Sequence, residues 1–350
     1  MAAVLDTISW RSELLCCALV ARPECNILAD LIVLRKQGDE SKTIDTYFEN
    51  ERERVHNSKL VSNHLGLDAS FMIVLEKAME NMNRAVWIPR TYRFLDIGCA
   101  PGGFTSYLLR KNRRAHGIGI SLPDEQGGTK FAVTNPDYLA RYQLHWVDLT
   151  TFDLAPNVPK PPSSTHECLP LPFEPRSRDL VVCDAQWALN PDNHMRPWNW
   201  TRLIISQLLI ALRAVAPGGS IFIRLSCAER TLTGRIVLAL CRVSDLVRSV
   251  KPTVFKAFRS HFYILAQKVH PQSDECKWLI SALEQLWYTM TFEGESGYGR
   301  DISAEDEQLI TSDEEMLSEK GLSTIVQLGT PIWEIQHDAL CGFLARRGVV

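Results

Sequence analysis

No run in the 350-residue chain approaches the roughly 20 apolar residues that span a bilayer, so no membrane-crossing helix is expected. A surplus of positive charge is missing too. With 38 Lys and Arg against 41 Asp and Glu, the formal net charge is −3, and no global field draws a polyanion to the surface. Ten cysteines are present, yet no two stand in C-x-x-C spacing, which argues against the common zinc and redox frameworks; no metal site is expected. Most of them sit inside apolar runs such as "DLVVCDA", the pattern of buried free thiols in a reducing compartment. The apolar run "LLCCALVA" is short and preceded by Asp6 and Glu13, unlike the basic start of a secretory signal, and a cytoplasmic or nuclear location is expected. Also absent are internal repeats, the G-x-G-x-x-G fingerprint of dinucleotide folds and the G-K-[S/T] of a phosphate-cradling loop.

What is present divides by texture into three regions. Residues 1–65 read as a helical extension with a highly charged middle. From 66 to 270, the strand candidates "RFLDIG", "AHGIGISL", "YQLHWVDL", "RDLVVCDA", "GSIFIRLS", "LVRSVKP" and "HFYILAQ" alternate with helical patterns. That alternation predicts an α/β domain with a seven-stranded, mostly parallel sheet covered by helices on both faces. One amphipathic segment, "WTRLIISQLLIALRAVAPGG", is expected to stop at Gly218 and Gly219. Residues 271–350 read as a second helical extension with acidic runs between its helices. The insert at 153–178 contains seven prolines, which excludes a helix or central strand; it is either a surface loop or a lid over a neighbouring cleft.

The stretch "FLDIGCAPGGFTSYLLRKN", residues 94–112, concentrates the functional signal. A strand ending in Asp96 enters a turn with Gly98, Gly102 and Gly103, stiffened by Pro101, and leaves as an amphipathic helix. In open α/β sheets ligands bind beyond the carboxyl ends of the strands, where such a turn lies. The glycine spacing here is G-x-x-x-G-G, and "LDIGCAPGGF" closely resembles motif I of the FtsJ/RrmJ class of S-adenosylmethionine-dependent methyltransferases, in which the turn wraps the methionine part of the cofactor.

The resemblance covers roughly residues 71–268 and is carried by an ordered motif set. "YQLHWVDLTTFD" resembles the third-strand motif, "DLVVCDAQW" the fourth, "VAPGGSIFIRLS" the segment along the fifth, and "VKPTVFKAFRSHFYILAQ" the closing segment. It implies a Rossmann-like methyltransferase fold, S-adenosylmethionine as cofactor, and ribose 2′-O-methylation of RNA as the activity. For the cofactor it implies Asp96, Gly98, Cys99, Ala100, Pro101, Gly102, Gly103 and Phe104 around the turn. Asp148 takes the place of the acid that contacts adenine, and Asp184 that of the fourth-strand acid. Where the family has a second-strand acid for the cofactor ribose, this chain has Ser121, with Asp124 and Glu125 close behind.

The family's catalytic Lys-Asp-Lys-Glu tetrad is degenerate. Asp184 matches its acid directly, and Lys77, nineteen residues before Asp96, stands near the place of the first lysine. Arg224 replaces the second lysine, and a guanidinium holds its protons, so it can orient a hydroxyl but not deprotonate one. His261 replaces the glutamate; a neutral imidazole is a base near neutral pH, although Arg224 beside it would lower its proton affinity. Trp187, after Asp184, either stacks on an aromatic substrate or packs beneath the insert. The basic cluster "RKNRRAH", 110–116, either touches phosphate or complements a helix C-terminus. RNA is the partner the resemblance implies. A small-molecule hydroxyl substrate, and a pseudoenzyme that keeps the fold for cofactor or partner binding, stay open as alternatives, as does a protein partner for the terminal helices.

Overall fold

The computed structural model describes residues 13–61, 65–162, 164, 166–186, 196–294 and 297–350. All seven strand candidates pair into one sheet: β1 (Arg93–Ile97), β2 (His116–Ser121), β3 (Tyr142–Trp146), β4 (Arg178–Cys183), β5 (Val215–Ser226), β6 (Ser244–Val250) and β7 (His261–Val269). Their order is β3-β2-β1-β4-β5-β7-β6. The first five run parallel, while β7 lies antiparallel between β5 and β6. Strand order reverses between β1 and β4, which opens a crevice at their carboxyl ends.

The helices are α1 (Leu14–Val20), α2 (Asn26–Asp39), α3 (Lys42–Val61), α4 (Leu65–Val86), α5 (Gly103–Lys111), α6 (Pro136–Leu139), α7 (Asn199–Ala214), α8 (Thr231–Arg242), α9 (Asp274–Phe292), α10 (Ala304–Glu307), α11 (Asp313–Leu317) and α12 (Glu319–Ala345). Side chains alternate across a strand with period two, so one sequence feeds two cores. Leu95, Val181, Ile221 and Ile223 point to the face packed by helices α7, α8, α9 and α12. Phe94, Leu180, Val182 and Phe222 point to the other face, under α4 and α5 with Met79, Met82, Phe104 and Leu109. Among the described residues no helix is long and apolar enough to cross a membrane, and all ten cysteines are free thiols.

Both helical extensions join the first of these cores, through Leu15, Leu19 and Leu28 on the N-terminal side and Trp287, Ile332 and Trp333 on the C-terminal side. A buried polar knot ties them together. Glu229, just past β5, takes the Arg35 guanidinium of α2 on one oxygen and the Trp333 Nε1–H of α12 on the other at 3.0 Å. Arg35 also donates to Gln336 Oε1 at 2.8 Å.

One expectation is corrected. Helix α7 ends at Ala214 rather than at Gly218 and Gly219, and β5 begins at once with Val215. Pro217 disfavours the helical region for the residue before it, so the chain is extended by then. Gly218, at φ +75°, belongs instead to an irregularity in β5, where register with β4 shifts between Arg178↔Val215 and Leu180↔Ser220.

Candidate active site

The glycine turn is held from three sides. Gly98 follows β1 with φ +80°, and a Cβ there would fall 2.3 Å from Ala185 Cα, so only glycine lets the ends of β1 and β4 close on each other. Ala185 is clamped by buried Gln207 of α7, whose Oε1 accepts its N–H at 2.9 Å and whose Nε2 donates to its carbonyl at 3.1 Å. Gly102, at φ +106°, lies against Val133 and Phe131, and Gly103 lies against the backbone and Leu75 of α4. Beneath the turn sits Asp96, 1% exposed. The Thr105 hydroxyl, from the first turn of α5, donates to its Oδ2 at 2.6 Å and lies 3.0 Å from the Tyr142 oxygen. Burial pushes the Asp96 carboxyl up to about 7, opposed by the Thr105 hydrogen bond and helped by nearby Asp184.

A cavity of about 530 Å³ opens above this turn, at the carboxyl ends of β1 to β4. Gly98 and Ala100 of the turn, Ser121 at the end of β2, Val147 and Asp148 after β3, and Asp184 after β4 line it. Asp148 Oδ1 is fixed by the N–H and the hydroxyl of Thr150, both at 2.8 Å. No second-strand acid enters the cavity: Asp124 turns to Lys130 at 3.5 Å, and Gln126 to Thr129 form the wall in its place. This lining fits the cofactor. Gly98 and Ala100 bring the backbone of the turn to the cavity wall, and Asp148 offers a fixed acceptor to an exocyclic amine. Gly98, Ala100, Ser121 and Asp148 are the residues that would hold it.

On the sheet's other side of the crevice, Asp184 and Arg224 line the cavity together with Phe71, Leu75 and Phe255. The Tyr263 hydroxyl donates to Asp184 Oδ1 at 2.9 Å, and Arg224 Nη1 reaches the same oxygen at 3.4 Å. Burial raises the Asp184 carboxyl above the ordinary range, although Arg224 and the Tyr263 hydrogen bond pull it back part of the way. Phe71 of α4 and Phe255 of the β6–β7 loop lie with ring centroids 5.7 Å apart and planes tilted by 55°.

The structure brings together only part of the residue set read from the sequence. Gly98, Ala100, Ser121, Asp148, Asp184 and Arg224 line the cavity, but Asp96, Cys99, Pro101, Gly102, Gly103 and Phe104 do not. Asp96 lies beneath the turn, and Gly102 and Gly103 of the turn pack against Phe131, Val133 and α4. Lys77 is exposed on α4 and outside the cavity lining; Phe71 and Leu75 occupy the stretch of that helix that reaches the cavity. His261 is buried and outside the lining as well. Burial first, then the positive charges of Arg224, Lys251, Lys256 and Arg259, pull its pKa down to about 2. Its proton affinity is therefore well below that of an ordinary imidazole.

Trp187 lies outside the described residues. None of the described residues of the Pro-rich insert lines the cavity. The insert is pinned to α9, with the Tyr288 hydroxyl donating to the Pro159 carbonyl at 3.0 Å and Lys160 Nζ 5.9 Å from the Trp287 ring centroid. Its described residues run along α9 rather than over the cavity. Among the described residues no group of three or more His, Cys, Asp or Glu is placed to hold a metal ion. Sequence reasoning missed Phe71, Phe255, Gln207 and the Gln126–Thr129 wall. The "QGGT" run was a usable signal for the last, since paired glycines mark a tight turn.

The FtsJ-like methyltransferase family model matches residues 75–269, more than half of the chain. No curated protein matches. Similarity to solved structures is remote. A provisionally assigned ribosomal RNA methyltransferase from Plasmodium falciparum is 18% identical, with 56% of this chain and 96% of that one covered and a TM-score of 0.36. Phosphoethanolamine N-methyltransferase 1 from Haemonchus contortus is 13% identical over 72% of this chain and 54% of its own, with a TM-score of 0.37. Human methyltransferase-like protein 13 is 16% identical over 62% and 90%, with a TM-score of 0.34.

Proposed function

The chain belongs to the FtsJ-like methyltransferase family and is an S-adenosylmethionine-dependent methyltransferase; from that premise we propose that its acceptor is a ribose 2′-hydroxyl of RNA. The observation that carries the proposal is the carboxylate of Asp184 at the cavity wall, held on one oxygen by Arg224 and Tyr263. The cofactor supplies, when bound, a methyl group on a positively charged sulfur. The protein must align a hydroxyl oxygen with that methyl and take the hydroxyl proton. Arg224 cannot take it, His261 is a weakened base outside the lining, and Lys77 is outside the lining as well. Asp184 is left as the acceptor. Its Oδ1 is occupied, so Oδ2 receives the hydroxyl hydrogen, and its raised proton affinity suits it to the task better than a solvated carboxylate.

Arg224 then acts by position. It fixes the Asp184 rotamer and places a positive charge beside the oxygen as negative charge develops there. Phe71 and Phe255 give the acceptor side an aromatic wall suited to a nucleobase. In this reading residues 66–270 are the catalytic unit and 1–65 and 271–350 its helical extensions. The test is incubation with methyl-labelled cofactor and total RNA, followed by digestion to nucleosides. Label in 2′-O-methylated nucleosides is expected. Label confined to bases, or found only in small-molecule extracts, would refute the RNA ribose assignment.

A further inference from the structure

We infer that a second cavity, at the amino ends of the strands, binds an unstacked base of single-stranded RNA and its flanking phosphates. This cavity, of about 320 Å³, is lined by Asn83, Trp87, Pro89, Arg90, Tyr107 and Lys111 among others. It lies where α4 hands over to β1 and α5 to β2, at the amino ends of the strands. The length of β1 separates it from the cofactor cavity, about 17 Å at roughly 3.3 Å per residue over five residues.

Trp87 is the anomaly that marks the place. It follows α4 at φ +54°, a left-handed position that glycine usually fills, and a bulky residue there is strained. Yet the indole gains no packing in return, since it is 75% exposed. Only its backbone is anchored: the Trp87 carbonyl accepts from Gln267 Nε2 at 3.4 Å, and the Val86 carbonyl before it accepts from Arg248 at 3.0 Å. A large ring set into water from a strained, anchored backbone is the pattern of a binding site rather than of a core.

The walls are equally fixed and the rim is cationic. Asn83 Oδ1 accepts the Ile88 N–H at 2.8 Å, and Asn112 Nδ2 donates to the Thr91 carbonyl at 2.6 Å. Exposed Tyr92 lies beside the cavity with the Arg90 guanidinium 5.4 Å from its ring centroid. Among the described residues, no carboxylate lies within ion-pair distance of Arg90, Lys111, Arg113 or Arg114, whereas neighbouring Arg84 and Arg110 are paired with Glu80 and Glu76. Complementing the helix dipole explains Lys111, the last residue of α5, but Arg113 and Arg114 lie beyond the helix. Exposed aromatic rings interleaved with unpaired cations are the chemistry of single-stranded nucleic-acid binding, in which bases stack and cations follow the phosphates. The choice of RNA over DNA rests on the proposed function; the stacking and phosphate chemistry does not.

The experiment is fluorescence anisotropy of the full chain with a labelled single-stranded RNA of about 12 nucleotides, within the span such platforms cover. Saturable binding is expected, weakened about fivefold or more by Trp87→Ala and kept by Trp87→Phe, as loss of one stacked base implies. Lys111→Glu with Arg113→Glu should weaken binding and flatten its salt dependence. Cofactor affinity should stay within about twofold in all three variants, since the two cavities are a strand length apart. Trp87→Ala binding as tightly as wild type overturns the inference, as does equal affinity for duplex RNA or tighter binding of a phosphopeptide. Methyl transfer to RNA that survives in wild type while Trp87→Ala binds normally would overturn this site and leave the proposed function standing.

Discussion

Asp184 is the residue on which the chemistry turns. Asp184→Asn keeps the shape but removes the proton acceptor, and methyl transfer is expected to fall about a hundredfold or more, the usual worth of a positioned base. Because burial raises the Asp184 carboxyl, the transfer rate should fall on the acid side of its pH profile, at a pH above the ordinary carboxylate value of about 3.9. Protonated Asp184 cannot accept, so the rate is present above the limb and lost below it. His261→Gln should leave that limb in place, because the imidazole is already neutral throughout; a moved limb would return His261 to the mechanism. Asp96 gives a separate pH signature. Its folded-state pKa is raised to about 7 from 3.8, so the folded form binds the proton more tightly. Stability is highest below about pH 4 as far as this group is concerned, and is lost as pH rises toward 7. Melting temperatures followed from pH 4 to 7 should decline less in Asp96→Asn than in wild type.

At this scale the sequence was legible wherever a residue acts through its backbone or sits at a strand end. Gly98, Asp148 and Asp184 are such positions. Distance along the chain placed Lys77 near the family spacing, but it is exposed on α4 and outside the cavity lining. At His261 the lowering by Arg224 was legible, whereas the burial and the charges of Lys251, Lys256 and Arg259 are assembled only by the fold.

Among the elements, the closing of β1 on β4 is the most sensitive joint. Gly98→Ala would press a methyl group to within 2.3 Å of Ala185 at a positive φ, so the strand ends must separate. Lower thermal stability and loss of cofactor binding are expected together, read by thermal melting and by titration. The knot at Glu229 tests whether the terminal helices are part of the folding unit. Burial would raise the Glu229 carboxyl, but the Arg35 guanidinium more than offsets it and leaves it below the ordinary range. Arg35→Met strands that buried charge, and a loss of about 3–5 kcal/mol in urea unfolding is expected. A loss near zero would mean that α2 packs without stabilising the core. The strands were readable from composition because their alternation is local. The end of α7 was misjudged because Gly218 and Gly219 serve a sheet irregularity that depends on β4.

For the whole molecule, an average charge of −3 conceals an uneven surface. Acidic runs lie in the C-terminal extension, while Arg90, Lys111, Arg113 and Arg114, with no ion-pair partner among the described residues, lie at the amino ends of β1 and β2. The architecture thus separates a cofactor crevice at the carboxyl ends of the strands from an aromatic, cationic rim at their amino ends. The central claim is that the crevice above Gly98 holds S-adenosylmethionine against Asp148. Calorimetric titration of the full chain with the cofactor tests it most directly. One equivalent should bind, Asp148→Ala should weaken it about tenfold or more, as loss of a charged hydrogen bond implies, and Lys77→Ala should bind as wild type does. No binding by the wild-type chain, or Asp148→Ala binding as tightly, would contradict the account.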